Sequence, residues 1–196
     1  MIDYSHGLRY ELAAAIARLA VLNNLARLHP AAHVIPLRVG GLGLLPITDE
    51  AANGLDPAPL CHPPHRQAQS TDQSDSTINP EAQLLTGPES GFSVLTPKLQ
   101  TLFEIGSHRG PIVYLEADYL GREGCQSAVL WRHGHVSVGP LLLGRQEIFS
   151  TATAPISVAL RALGITAVGR RDEFVVAGLG RCRSTQEWAE RQDDQP

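Results

Sequence analysis

Hydrophobic positions between Leu8 and Leu28 recur at helical spacing. Leu8, Leu12, Ile16, Leu19, Leu22 and Ala26 form one stripe, which Ala20, Val21, Leu25 and Leu28 widen. The spacing predicts one long, mostly buried helix over 8–28. His29-Pro30 ends it, because the proline ring disfavours helical backbone in the residue before it. Two short apolar runs follow, His33 to Val39 and Leu42 to Thr48, split by Gly40-Gly41. They predict strands that Pro36 and Pro46 keep near a sheet edge.

From Asn53 to Ser90 the pattern disappears. The segment carries six prolines and the run RQAQSTDQSDST, with almost no aromatic or β-branched residue, and predicts a long mobile loop. Order resumes at Phe92-Ser93-Val94-Leu95. Thr96-Pro97 then marks a helix start, with a threonine cap and proline at the first helical position. Leu99, Leu102, Phe103 and Ile105 point that helix inward before it stops near Gly106.

Ile112 to Leu120 alternates. Val113, Leu115, Ala117 and Tyr119 fall on one face, and Ile112, Tyr114, Glu116 and Asp118 on the other. This predicts a strand with one buried and one partly polar face. Turn residues Gly121 to Gly124 lead to a second strand, Cys125 to Arg132, and Gly134 makes a tight turn into His135 to Val138, an antiparallel meander. Ala154-Pro155 opens a helix carrying Ile156, Ala159, Leu160 and Leu163, closed by Gly164 in the left-handed conformation. Asp172 to Leu179 reads as strand or helix. Ser184-Thr185-Gln186-Glu187 fits a capping box and predicts a last short helix carrying Trp188; the polar tail from Arg191 frays. The elements together predict an α+β fold: one domain in which an antiparallel meander packs against a few helices, interrupted by the Pro/Ser/Gln-rich loop at 53–90.

Composition narrows the function classes. The 196 residues are 43% hydrophobic and 18% charged with a net charge of -4, which excludes a collagen-like, fully disordered or helical membrane-spanning chain. No basic cluster is longer than Arg170-Arg171, so a nucleic-acid partner is not expected. Met1 to His6 lacks the basic and apolar regions of a secretory signal, which predicts a cytoplasmic protein. Three cysteines, Cys61, Cys125 and Cys182, at wide spacing suit free thiols in a reducing compartment. Fifteen arginines against the single Lys98, with abundant Ala, Gly and Leu, suggest a GC-rich bacterial genome.

The candidate chemistry is sparse. Glu116 and Asp118 share a strand face about 6.6 Å apart, a spacing that suits either acid and base work or an acidic, partner-facing patch beside Tyr114. The patch takes precedence because no second motif supplies a metal, nucleophile or leaving-group stabiliser. Arg132, at the end of the next strand, joins Tyr114, Glu116 and Asp118 as a partner-binding candidate. The enzymatic alternative is a hydrolase using Glu116 with Asp118 or with His133 and His135. Cys61-His62-Pro63-Pro64-His65 and His133-Gly134-His135 hold zinc-type donors, but one lies in the loop and the other in a turn, so no metal site is assigned. Gly40-Gly41-Leu42-Gly43 lacks the third glycine and following helix of a phosphate loop, and no cofactor is expected. Trp131 and Trp188 suit a core or a binding hot spot, with the core the commoner fate.

The stretch Arg109 to Gly121, RGPIVYLEADYLG, with Gln126 to Trp131, QSAVLW, and Gly139-Pro140, resembles a family of small uncharacterised bacterial proteins in which a GPxxYxEAxYxG strand precedes a QxAxxW strand. Pro155-Ile156, Ala159 to Gly164, Asp172-Glu173-Phe174, Gly178 to Arg181 and Thr185 to Trp188 extend the likeness, and Gly41 to Asp49 and Thr96 to Leu99 do so more loosely. Proteins of this kind resemble immunity proteins of bacterial toxin systems. The resemblance implies a small, non-catalytic cytoplasmic protein that masks a cognate toxin; the insertion at 53–90 departs from the pattern. Oligomeric state is not legible.

Overall fold

The computed structural model describes residues 9–57, 85, 90–120, 123–145, 147, 150–169 and 171–191. Its centre is a six-stranded antiparallel sheet in the order β2-β3-β1-β4-β5-β6. The strands are β1 (Arg9–Arg18), β2 (Ile35–Pro36), β3 (Leu42–Pro46), β4 (Ile112–Leu120), β5 (Glu123–Arg132) and β6 (His135–Leu143). Six α-helices among the described residues cover it: α1 (Leu19–Ala26), α2 (Asp49–Gly54), α3 (Pro97–Gly106), α4 (Pro155–Leu163), α5 (Glu173–Ala177) and α6 (Thr185–Ala189). This is an α+β domain, as the pattern predicts.

While β6 is largely exposed up to Leu142, both faces of the sheet are buried across β1, β4 and β5. One packs Leu12, Ile16, Val113, Leu115 and Leu130 against α4, α5 and α6; the other packs Ala15, Tyr114, Val129 and Trp131 against α1, α2, α3 and the segment Phe92 to Leu95. The chain thus has a C-terminal face and an N-terminal face, each named for the half that covers it.

Double burial overturns the expectation of a helix over 8–28. The first half is β1, paired on both sides with β3 and β4, and only Leu19–Ala26 is helical. From Leu12 to Ala17 every residue is buried. A strand buried on both faces shows no alternation, so its apolar run matches a helical template equally well. Tertiary pairing then outweighs the helix preference of its alanines.

The predicted strand at 33–39 shrinks to Ile35–Pro36, an edge strand, and its neighbour to Leu42–Pro46. Ile47 N donates to Ala13 O, so Pro46 turns its missing donor to the other side of β3, where β2 has already ended. Of the loop predicted over 53–90, residues 58–84 and 86–89 lie outside the described residues, and its first two positions belong to a helix instead. α2, capped by the Thr48 hydroxyl on Ala51 N, runs through Gly54, and Leu55 and Leu85 are buried in the N-terminal core.

The other helix boundaries follow their sequence signals. Thr96 caps Leu99 N, Gly164 closes α4 in the left-handed conformation, and Asp172 and Gly178 bracket α5, resolving the strand-or-helix choice as helix. Ser184 caps Glu187 N, while Glu187 reaches back to Arg183 N, one residue earlier than a capping box requires. His133 and Gly134 both take positive φ, the conformation of a two-residue hairpin turn that matches sheet twist. The returning strand β6 is longer than predicted and continues to Leu143.

Candidate functional site

Register places three rows of side chains across the N-terminal face of β1, β4 and β5. Ala15, Tyr114 and Val129 form an apolar row, Ala13, Glu116 and Ser127 a polar one, and Glu11, Asp118 and Cys125 the outermost. Alternation puts residues two apart on one face of each strand, and the pairing register aligns them into rows.

Tyr114 does not reach solvent. It is 0% exposed, stacked on Phe103 at 5.5 Å and tilted against Phe92 at 5.7 Å between ring centroids. Burial first, then the neighbouring charge and hydrogen bond of Glu116, push its pKa well above the ordinary tyrosine value. It therefore stays a donor, and its hydroxyl bonds Glu116 Oε1 at 2.7 Å.

Glu116 is also buried, and its carboxylate is fully engaged. Oε2 accepts from Ser93 N at 2.7 Å and Ser93 Oγ at 2.6 Å. Oε1 accepts from Val94 N at 2.9 Å and Leu95 N at 3.1 Å, besides Tyr114. Ser127 Oγ donates to Gly91 O. Residues 91–95 lack secondary structure of their own, so their buried backbone donors need acceptors, and this row supplies them. Glu116 anchors a strap across the sheet. The expected surface role of Tyr114 and Glu116 fails for this reason.

Asp118 and Arg132 are placed apart. Asp118 is partly exposed and bonds Arg9 Nε at 3.3 Å and Arg145 Nη2 at 3.1 Å, while Arg9 also pairs with Glu11 at 3.1 Å. Arg132 lies at the far end of β5, seven residues or roughly 23 Å from the row of Asp118, and on the opposite face. There its guanidinium donates to Ala162 O in the last turn of α4, where a cation complements the helix dipole. The four predicted contact residues do not form one surface.

The same separation disperses the hydrolase constellation. His135 pairs with Arg132 across the β5–β6 hairpin, with His133 in the turn, so both histidines stand at the end away from Asp118. No group of three or more His, Cys, Asp or Glu among the described residues is placed to hold a metal ion. Cys61, His62 and His65 lie outside the described residues, as does the Met1 to His6 segment. Trp131 and Trp188 are both core residues, each 0% exposed.

A cleft of about 280 Å³ opens to solvent between the strap and the ends of β1, β4 and β5, where Arg9, Glu11, Asp118 and Cys125 meet Gly91 to Val94. Sequence reasoning found Asp118 but missed Arg9, Glu11 and Arg145. Glu11 was hidden inside the apparent helix, although its cross-strand position follows once β1 is known to be extended.

Comparison with protein-family models, with curated proteins and with solved structures finds no match for this chain. No helix among the described residues is long and apolar enough to cross a membrane.

Proposed function

We propose that this protein works by binding rather than by catalysis, as a cytoplasmic immunity-type protein that masks a cognate bacterial toxin. The reading starts from the resemblance of the RGPIVYLEADYLG and QSAVLW segments to that class. The observation that carries it further is the division of labour between the two carboxylates of β4. Glu116 is consumed in tying down the strap, so it has no lone pair left for acid or base work, whereas Asp118 stands at an open cleft among charged neighbours. Side-chain exposures of 63% for Arg9, 52% for Glu11 and 65% for Arg145 make this rim a surface of both signs. Such a surface fixes register and encounter rate with a complementary partner.

The test is co-expression with each product of the adjacent genes. The reading requires one product that arrests growth alone, is tolerated alongside this chain, and elutes with it as a stoichiometric complex. Asp118→Lys then weakens the complex by more than the small fall in melting temperature from losing its Arg9 and Arg145 pairs accounts for. If no product behaves so, or if Asp118→Lys and Arg145→Glu both bind unchanged, the reading or its placement at this cleft falls.

A further inference from the structure

At the sheet edge opposite β2, no strand among the described residues pairs with the outer side of β6. The backbone donors and acceptors along that side can pair with another strand, and native edges are commonly guarded against this by charge. His135–Leu143, HVSVGPLLL, holds no Lys, Arg, Asp or Glu. Val136 and Leu142 are 39% and 46% exposed. Register puts both on the N-terminal face, Val136 opposite Trp131 and Leu142 opposite Ser127. The cover that buries Trp131 and Ser127 leaves these two open to water.

Charge is distributed unevenly along this edge. At the hairpin end Arg132 is exposed. Ser107 accepts there from His133 N and Gly134 N, which brings the turn Ser107–Arg109, with its exposed Arg109, alongside. At the other end Glu147 Oε2 accepts from Gly144 N, while Arg145 is already paired with Asp118 at 3.1 Å. One end of the edge is therefore basic, and the other carries a carboxylate.

We propose that β6 pairs antiparallel with β6 of a second copy about a two-fold axis through Gly139, joining two sheets edge to edge. Val136 lies three residues before Gly139 and Leu142 three after it, so each Val136 falls opposite the other copy's Leu142. The axis stands perpendicular to the sheet and preserves its faces, so these two apolar side chains meet on one face as a cross-strand pair. The register shifts against β5 fall between Val136 and Leu141, so the regular ends, His135-Val136 and Leu141-Leu142-Leu143, are the parts that meet. Pro140 lies beside the axis, where its missing N–H removes at most one bond per strand. Charge selects the same partner. The antiparallel pairing brings Arg109 and Arg132 of one copy to the end of the other that carries Glu147, and Arg145, opposite His133, keeps Asp118. Such an interface is isologous, each copy offering the same strand.

Sedimentation velocity of the full chain over a concentration series tests this and should show a monomer–dimer equilibrium. Val136→Lys and Leu142→Lys alter exposed side chains, and each should weaken dimerisation about tenfold or more while leaving the far-ultraviolet dichroism unchanged. Cysteine pairing reads the register, in a Cys61→Ser, Cys125→Ser background that retains the buried Cys182. A mixture of Val136→Cys and Leu142→Cys chains should form a disulfide-linked dimer. Either chain alone should not, because identical positions stand about 20 Å apart across the axis. A chain that stays monomeric at every soluble concentration, a dimer that both lysine variants leave unchanged, or mixed chains that link no faster than either alone overturns the proposal. So does a monomer whose β6 amides gain exchange protection only in complex with another protein, since the edge would then belong to that protein's strand.

Discussion

The two faces of the sheet use the same strands but are covered by different kinds of chain, and their polar content differs accordingly. On the C-terminal face the cover is mostly helical, and helices satisfy most of their own backbone groups, so strand residues there are almost all apolar. The buried exception is Gln126, whose Oε1 accepts from Ile156 N at 3.2 Å and whose Nε2 donates to Tyr119 at 2.8 Å. It supplies the cap that Ala154 at the start of α4 cannot. On the N-terminal face part of the cover is the irregular strap at 91–95, and the sheet answers with a buried carboxylate. The buried carboxylate here answers a stretch of cover without secondary structure.

Substitutions should separate the faces, and Glu116→Ala should do most damage. It strands three backbone donors and two hydroxyls, and we expect a loss of about 3–5 kcal/mol in chemical denaturation. Early loss of amide protection at 93–95 should accompany it; retained protection there would mean that the strap is held by Phe92 and Leu95 alone. Next, Tyr114→Ala and Leu115→Ala, neighbours on opposite faces, should each cost about 2–5 kcal/mol. A much smaller loss for Tyr114→Ala would reopen the N-terminal face as a surface. Gln126→Ala is expected to cost about 1–3 kcal/mol, with the first turn of α4 exchanging faster.

The smallest effect is pH-dependent. Burial alone would raise the Glu173 pKa, but the 2.7 Å bond from Arg161 and further hydrogen bonds hold it below the ordinary carboxylate value. A lowered folded pKa gives stability that is present above the unfolded pKa and lost as pH falls through the folded one. Glu173→Gln should therefore cost stability near neutrality, where the bond from Arg161 is intact, and little below the folded pKa, so that the acid limb of the stability curve flattens. An unchanged acid limb would show that Arg161 does not hold the carboxylate in solution.

Local signals survived folding well. The Thr96-Pro97 start, the Gly164 stop, the Ser184 cap, the β4 alternation and the His133-Gly134 turn are all decided by neighbours within a few residues, so chain chemistry alone places them. The site was legible only in part: Glu116 and Asp118 were found as a pair on one strand face, but their opposite fates were not. That difference depends on Ser93, Val94 and Leu95, more than twenty residues away, crossing over one carboxylate and stopping short of the other.

By itself the sequence determined the α+β class, the helix caps, the meander and which residues share a strand face, because these follow from backbone stereochemistry and side-chain period. Tertiary structure alone decided that Arg9–Arg18 is a strand, that both faces of β1, β4 and β5 are covered, and that the strap at 91–95 consumes Glu116. Each of those is a long-range contact, and a periodic pattern records which side a residue faces, not what comes to cover it.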